Sequence, residues 1–304
     1  MTSLSVVVPV WNELELVREC LASVERALSH LGGGELIVVD DGSSDGAPEM
    51  VAREFPAARL LRSETNHGFA HAANRGMATA GGELLLLLNS DTEIGEEDLE
   101  RLVAFLDEHS DYAGVAPRLV GEEGVTQRAC MAFPRFSTPL FFGTPLERWC
   151  PDSSELARYF LRDFDHEHDA DVEQPPAACW LLRRAAWEGV GEFDERLELF
   201  FNDVDWCQRL KDRGGKLRFL ASATVTHHGG ASTRRRTDFV QRWQADRLRY
   251  QKKHHGPLAA PFVKACVVWT FVDWSGRNLG RRLRGRPTEA LGPTTRALAE
   301  FLRA

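Results

Sequence analysis

Residues 83–93 read ELLLLLNSDTE. Five leucines in a row with no polar alternation, closed by Asn89, Ser90 and Asp91, are too short a run for a helix. They suit a β-strand covered on both faces, as strands of a parallel sheet are. The same pattern recurs outward from this strand. LSVVVPVWN (4–12) is a β-branched run ended by Pro9 and Asn12, ELIVVDDGSSDG (35–46) ends in acids, Gly and Ser, and ARLLRS (58–63) is a weaker third strand. Between them, Leu14, Val17, Leu21, Val24 and Leu28 recur at helical spacing, and residues 68–80 form a small-residue helical pattern with Gly68 and Gly76. Strands alternating with helices over short links predict an α/β fold with a mostly parallel, Rossmann-like sheet under covering helices. In such sheets ligands bind beyond the carboxyl ends of the strands, and Asn12, Asp40, Asp41, Asn89 and Asp91 all fall there.

From about residue 110 to 176 the pattern loosens into stretches rich in Pro, aromatics and acids, expected as loops with short elements. The chain of 304 residues, 43% hydrophobic and 27% charged, has the composition of a folded rather than a disordered protein. Its net charge of −8 is unevenly placed: residues 233–304 hold 16 Lys and Arg against 5 Asp and Glu, while the rest holds 21 against 40. An acidic body excludes nucleic acid as a general partner and leaves the basic tail to meet something anionic. The opening residues MTSLSVVVPVW lack a basic n-region, and no stretch reaches roughly 18 charge-free apolar residues, so a cytoplasmic location is expected. The six cysteines are scattered without a C-x-x-C pair and are expected as reduced, mostly core thiols.

Three clusters carry chemistry. Neither G-x-G-x-x-G nor a phosphate-loop motif occurs, so a diphosphate would need another partner, and a divalent cation held by carboxylates is one route. Asp91 is then a ligand candidate with Asn89 as a neutral oxygen donor. ATVTHHGGAS (223–232) supplies His227 and His228, of which an extended chain turns only one toward a given site. LFFNDVDWCQRL (199–210) sets Asp203 and Asp205 behind large apolar residues, where they read as a solvated turn, a metal clamp or a general base.

Taken in order, VVVPVWNE, VVDDGSSDG, NHGFAHAANRG, GGELLLLLNSD, VGEFDERLELFFNDVDWCQRLKDRGG and VTHHGGAS resemble the family 2 glycosyltransferases of the GT-A fold, and within them the branch of bacterial rhamnosyltransferases. The resemblance covers about residues 4–232. It implies a GT-A domain over 1–232, with a donor half over 1–117 and an acceptor half over 118–232, followed by a basic helical extension over 233–304. It implies donor contacts from Pro9, Asn12, Asp40, Asp41, Asn74, Asn89 and Asp91. The metal, Mg²⁺ or Mn²⁺, would lie on Asp91 and His227, the general base would be Asp203, and Trp180, Asn202 and Asp205 would lie on the acceptor side. Asn202 stands where the family usually has Glu, and Asn89 where a D-x-D motif has its first Asp.

The implied activity is metal-dependent, inverting transfer of rhamnose or another hexose from a nucleoside-diphosphate sugar, dTDP-rhamnose or a UDP-sugar, to a hydroxyl of a glycan or lipid-linked acceptor in cell-surface polysaccharide synthesis. A nucleotidyltransferase and a non-catalytic sugar-nucleotide-binding protein are the alternatives. Residues 257–286 combine apolar residues, two tryptophans and an arginine cluster. They read either as a soluble helix covering the domain or as an interfacial helix on an anionic membrane, with tryptophans at headgroup depth and the protein peripheral at the inner face of the cell membrane. Every motif lies before residue 233, so the tail is expected to be removable without unfolding the rest.

Overall fold

The computed structural model describes residues 3–229, 239–288 and 291–303. The chain folds into two compact units. The first holds residues up to Met131 and Phe164 onward to 229; the second holds Ala132–Asp163 and the described residues after 238.

The first unit is built on one mixed sheet. Its strands are β1 (Leu4–Val10), β2 (Glu35–Asp40), β3 (Arg59–Arg62), β4 (Leu84–Leu88), β5 (Thr92–Ile94), β6 (Gly114–Val120), β7 (Ala170–Val172), β8 (Cys179–Arg183) and β9 (Leu217–His227). The helices are α1 (Leu14–His30), α2 (Ala47–Glu54), α3 (Phe69–Thr79), α4 (Glu96–Glu108), α8 (Arg184–Val190) and α9 (Asn202–Asp212). The sheet order is β3-β2-β1-β4-β8-β6-β9-β5, with β7 also pairing on β9. The expected parallel arrangement holds for β3-β2-β1-β4. Beyond β4 it gives way: β8 runs antiparallel to both β4 and β6, while β9 is parallel to β6 and antiparallel to β5 and β7.

Both faces of the parallel half are covered, which is why its strands are continuously apolar. Val6, Val8, Val10, Leu84, Leu86 and Leu88 face the core shared with α1, α2 and α4. On the opposite face α3 lies so close that a Cβ on Gly76 would stand 2.3 Å from Val7 Cγ1 and 2.9 Å from Val39 Cγ2. The small-residue pattern of 68–80 thus permits close helix–sheet approach. β6 lies in the stretch expected as loops. Pro117 interrupts its run, and the β6/β9 register shifts between Pro117 and Arg118, as a residue without an N–H forces in a ladder.

The strand directions put the carboxyl ends of β1, β2, β4 and β9, and the amino end of β8, on one edge of the sheet. That edge carries Asn12, Asp40, Asp41, Asn89, Asp91, Ala177, Ala178 and His227.

The second unit joins α5 (Thr138–Phe141), α6 (Pro145–Trp149) and α7 (Ser154–Tyr159) to α10 (Phe239–His255), α11 (Ala259–Leu283) and α12 (Leu291–Arg303). The ring of Phe142 meets Trp243 edge-on at 5.3 Å, Phe136 stacks on Phe262 at 4.8 Å, and Trp149 meets Trp269 at 5.9 Å. Arg247 donates to the Phe142 carbonyl at 2.9 Å and stands 4.7 Å from the Trp243 ring. These contacts correct two expectations. The division does not fall at residue 232, because the aromatic side chains of 132–163 find their apolar partners on α10 and α11. For the same reason, against the expectation of a removable tail, its deletion would uncover the aromatic side chains of 132–163.

No helix among the described residues is long and apolar enough to cross a membrane. All six cysteines are free thiols, five of them buried; burial pushes the Cys20 and Cys130 thiols up to about 12, which makes them inert at neutral pH.

Candidate active site

The turn after β1 is held by the loop after β2. Asn12 N–H donates to Ser43 Oγ at 2.7 Å, and Asn12 Oδ1 accepts from Ser44 N–H at 2.8 Å. Asn12 and Glu13 both have positive φ, 59° and 65°. Such conformations are costly for residues other than glycine and cluster where a chain is held for function. Pro9 lies in β1 opposite Val39. Asp40 is buried and accepts from Ser43 N–H at 3.3 Å. Asp41 is buried too, and its carboxylate accepts from the backbone N–H groups of His67, at 2.9 and 3.0 Å, and Gly68, at 2.7 Å. It thereby secures the entry to α3.

Asn74 is not part of this edge. Its Nδ2 donates to the Phe193 carbonyl and to Glu195 Oε1, both at 3.0 Å, and its Oδ1 accepts from Phe193 N–H at 2.8 Å. With the whole amide engaged it ties α3 to the loop leading into α9. The resemblance implied a donor contact for it, and its bonds here run to Phe193 and Glu195.

At the end of β4 the chain turns sharply, with Thr92 Oγ1 donating to the Asn89 carbonyl at 2.6 Å. Asn89 N–H donates to the Ala178 carbonyl at 2.9 Å. The Asn89 side-chain oxygen is buried with no hydrogen-bond partner among the described residues, and a buried acceptor left unsatisfied costs about 1–3 kcal/mol. β5 then pairs Thr92 with His227. That pairing sets His227 Nε2 3.6 Å from Asp91 Oδ1.

The His227 ring is oriented from its other side. Its Nδ1 lies 2.7 Å from Gln127 Oε1, while Gln127 Nε2 donates to the His227 carbonyl at 2.7 Å. With the amide nitrogen committed to that carbonyl, Oε1 must accept from Nδ1–H, leaving the Nε2 lone pair toward Asp91. Burial pushes His227 below its ordinary value, against the pull of Asp91. Burial and the Gln127 contact thus favour the neutral imidazole at His227. Gln127 carries no signal in the sequence: it lies 100 residues away, in a stretch without periodicity.

His228 turns elsewhere. Its Nδ1 is 2.9 Å from Glu122 Oε1 and its Nε2 3.3 Å from Glu93 Oε1, and Glu122 above all raises its proton affinity. Glu19, Glu93 and His228 bring three ligand-type atoms within 4.8 Å of one another, but His228 is already held by carboxylates there.

Asp203 stands in the first turn of α9, after a turn in which Phe201 has φ 62°. That left-handed conformation costs a bulky residue about 1–2 kcal/mol. Asp203 Oδ1 accepts from Val204 N–H at 2.8 Å, and the carboxylate also accepts from Ala177 N–H. The dipeptide Ala177–Ala178 thus joins Asp203 to Asn89, one N–H donated to the acid and one carbonyl received by the strand end. Burial raises the Asp203 carboxyl above its ordinary value, outweighing these N–H groups and the helix N-terminus, which both favour the anion.

Asp205, two residues on, is fully buried and bonded to Arg209 Nε at 2.9 Å. Asn202 is buried and local, accepting from Asp203 N–H at 2.8 Å and donating to the Leu197 carbonyl at 3.3 Å. Trp180 lies opposite Leu87 in the sheet, 1% exposed, with Trp206 at 5.6 Å and Phe193 at 6.2 Å. It lies in the core behind the strand end, where the resemblance implied an acceptor-side residue.

Asp91 supplies a carboxylate and His227, 3.6 Å away, a nitrogen whose tautomer is fixed, two groups that fit ligands of a divalent cation; the Asn89 side-chain oxygen at the same strand end has no partner among the described residues.

The chain is similar to the N-acetylglucosaminyl-diphospho-decaprenol L-rhamnosyltransferase of Mycobacterium tuberculosis, 25% identical over 211 residues that cover 66% of this chain and 68% of the relative. It is also similar to the O-antigen biosynthesis protein RfbC of Myxococcus xanthus, 28% identical over 296 residues that cover 93% of this chain and 22% of the relative. Among solved structures it superimposes on GalNAc-T7 with UDP, GalNAc and Mn²⁺ at a TM-score of 0.53 and 17% identity, covering 75% of this chain and 44% of that one. That likeness places the fold among the GT-A glycosyltransferases. The family described as Glycosyl transferase family 2 matches residues 5–189, so the chain that carries this strand-end site is a member of that family, a glycosyltransferase of its rhamnosyltransferase-like branch.

Proposed function

We propose that the protein is a metal-dependent, inverting glycosyltransferase that moves rhamnose or another hexose from a nucleoside-diphosphate sugar to a hydroxyl of a glycan or lipid-linked acceptor, at the inner face of the cell membrane, in cell-surface polysaccharide synthesis. The observation that carries this reading is the linkage through Ala177–Ala178. It puts a carboxylate of raised proton affinity next to a strand end bearing Asn89, Asp91 and His227. The relatives support it: one acts in rhamnosyl transfer to a decaprenol-linked sugar, and the solved neighbour holds UDP and Mn²⁺.

Asp91 and His227, with Asn89 beside them, would hold the cation, which when bound would offset the charge that builds on the departing diphosphate. Asn12, Asp40 and Asp41 fix the loops that receive base and ribose, with Pro9 beneath. Asp203 takes the proton from the acceptor hydroxyl as that oxygen attacks the sugar carbon. dTDP-rhamnose and UDP-sugars are the donors to test first.

Incubating the protein with these donors, with and without Mn²⁺, and measuring release of nucleoside diphosphate tests the reading. Cation-dependent release is expected. A saturating donor at about 100 times its dissociation constant should add about 2.7 kcal/mol of stability. Binding without release would favour a non-catalytic sugar-nucleotide-binding protein.

The ligand assignment has its own test. Asp91→Ala should weaken Mn²⁺-dependent donor binding on the order of 10–100-fold, His227→Ala less, and His228→Ala least, because His228 faces Glu93 and Glu122. A titration in which His228→Ala does the most damage would move the cation to the Glu19–Glu93–His228 group.

A further inference from the structure

The outward side of α11 inverts the usual pattern of a surface helix, which turns polar residues to water. Val263, Cys266 and Asn278 are buried on one side of it. On the other side Ala265, Val268, Val272, Gly276, Leu279 and Leu283 are all exposed. At 3.6 residues per turn Val268, Val272, Leu279 and Leu283 fall within about 60° of one another, and positions 261–283 extend the stripe over roughly 33 Å. Val272, Leu279 and Leu283 are 60%, 58% and 80% exposed. A continuous apolar stripe of that length marks an interaction surface.

Charge decides what covers it. Arg282 borders the stripe, and Arg284 and Arg286 follow past its end; all three are exposed, with no ion pair among the described residues. The one carboxylate of the helix, Asp273, is taken by Arg148 at 3.1 Å and Arg277 at 2.8 Å. Exposed Lys252 and Lys253 precede the other end of the stripe. A second copy laid on it in parallel would set these arginines against themselves, and one laid antiparallel would set them against the lysines. Either arrangement is repelled.

We infer that this stripe is a membrane-docking face. α11 lies along an anionic leaflet with its aliphatic side chains among the acyl chains and Arg282, Arg284 and Arg286 on the headgroups. Trp269 and Trp274 are half-buried, so the aliphatic stripe does the inserting, while exposed Trp149, in contact with Trp269, stands beside it. This assignment rests on the membrane-side reading of the function but on none of the transfer chemistry.

The full chain is to be sedimented with phosphatidylglycerol vesicles and with phosphatidylcholine vesicles, from about 0.05 M to about 0.5 M salt, a range over which the Debye length shortens about threefold. Binding to the anionic vesicles that weakens with salt is expected. Val272→Glu with Leu279→Glu should lower it at least tenfold. Arg282→Ser with Arg284→Ser and Arg286→Ser should lower it about 10²-fold at low salt, near fivefold per basic residue, and much less at high salt. All five positions are exposed, so thermal stability and donor binding should stay at wild-type levels.

Equal binding to both vesicle types, or to neither, would overturn the assignment. So would a dimer in light scattering that Val272→Glu splits. Donor binding measured on the same samples keeps the outcomes apart: vesicle binding without donor binding would retire the transferase reading and leave the docking face standing.

Discussion

Asp203→Asn is expected to lose most glycosyl transfer, by roughly 10²–10⁴-fold, while keeping donor binding and fold. Asn keeps the shape of Asp, and its Oδ1 can still accept the Val204 N–H that the carboxylate accepts at 2.8 Å. What it lacks is the ability to take a proton. Steady-state kinetics should therefore show the loss in kcat, with the donor dissociation constant unchanged.

The raised proton affinity gives two further readouts. A general base works only when deprotonated, so the acid limb of the kcat/KM profile should lie above the ordinary aspartate range and vanish in the variant. Stability has the opposite sign. A carboxyl whose folded value lies above its unfolded value contributes stability below the unfolded value and loses it as pH rises through the folded one. Asn carries no charge to desolvate at any pH, so Asp203→Asn should melt no lower than wild type. An inactive variant that also melts earlier would mark Asp203 as structural, and near-normal turnover would remove it from the mechanism.

Local patterns made much of this legible. The leucines of β4 run straight into Asn89 and Asp91, so strand and site are read together, and the linear motifs around Asp203 and His227 needed only their order. What escaped depends on contacts between distant segments. Asn74 looks like a site residue until Phe193 and Glu195 occupy its amide. Trp180 resembles an acceptor platform until its pairing with Leu87 buries it. The aromatic residues of 136–149 show no periodicity of their own because their partners lie on α10 and α11, about a hundred residues later. On α11 nearly every side is apolar, so spacing alone could not say that Val272 and Leu279 face out while Trp269 and Trp274 are half-buried.

Asp205→Ala should do what Asp203→Asn does not. Asp205 has no exposed side-chain surface, and its Oδ2 accepts from Arg209 Nε at 2.9 Å. Arg209 in turn donates to the carbonyls of Val190 at 2.8 Å and Glu192 at 2.7 Å, and Trp206 Nε1 to that of Gly191 at 2.9 Å. The pair thus ties the first turns of α9 to the segment after α8 and fixes the direction in which Asp203 is presented. Removing one partner of a buried pair leaves the other charge uncompensated, at a cost of about 3–5 kcal/mol. Arg209 is 19% exposed and keeps its two carbonyls, which favours the lower end, about 3 kcal/mol. That is roughly a hundredfold shift toward the unfolded state, read as a lower denaturation midpoint at unchanged slope. Asp205→Asn retains an acceptor oxygen and should lose less. The molecules that remain folded should still bind donor, since Arg209, the partner of Asp205, bonds to the segment at the end of α8. A fully stable but inactive Asp205→Ala, beside an active Asp203→Asn, would exchange the roles of the two acids.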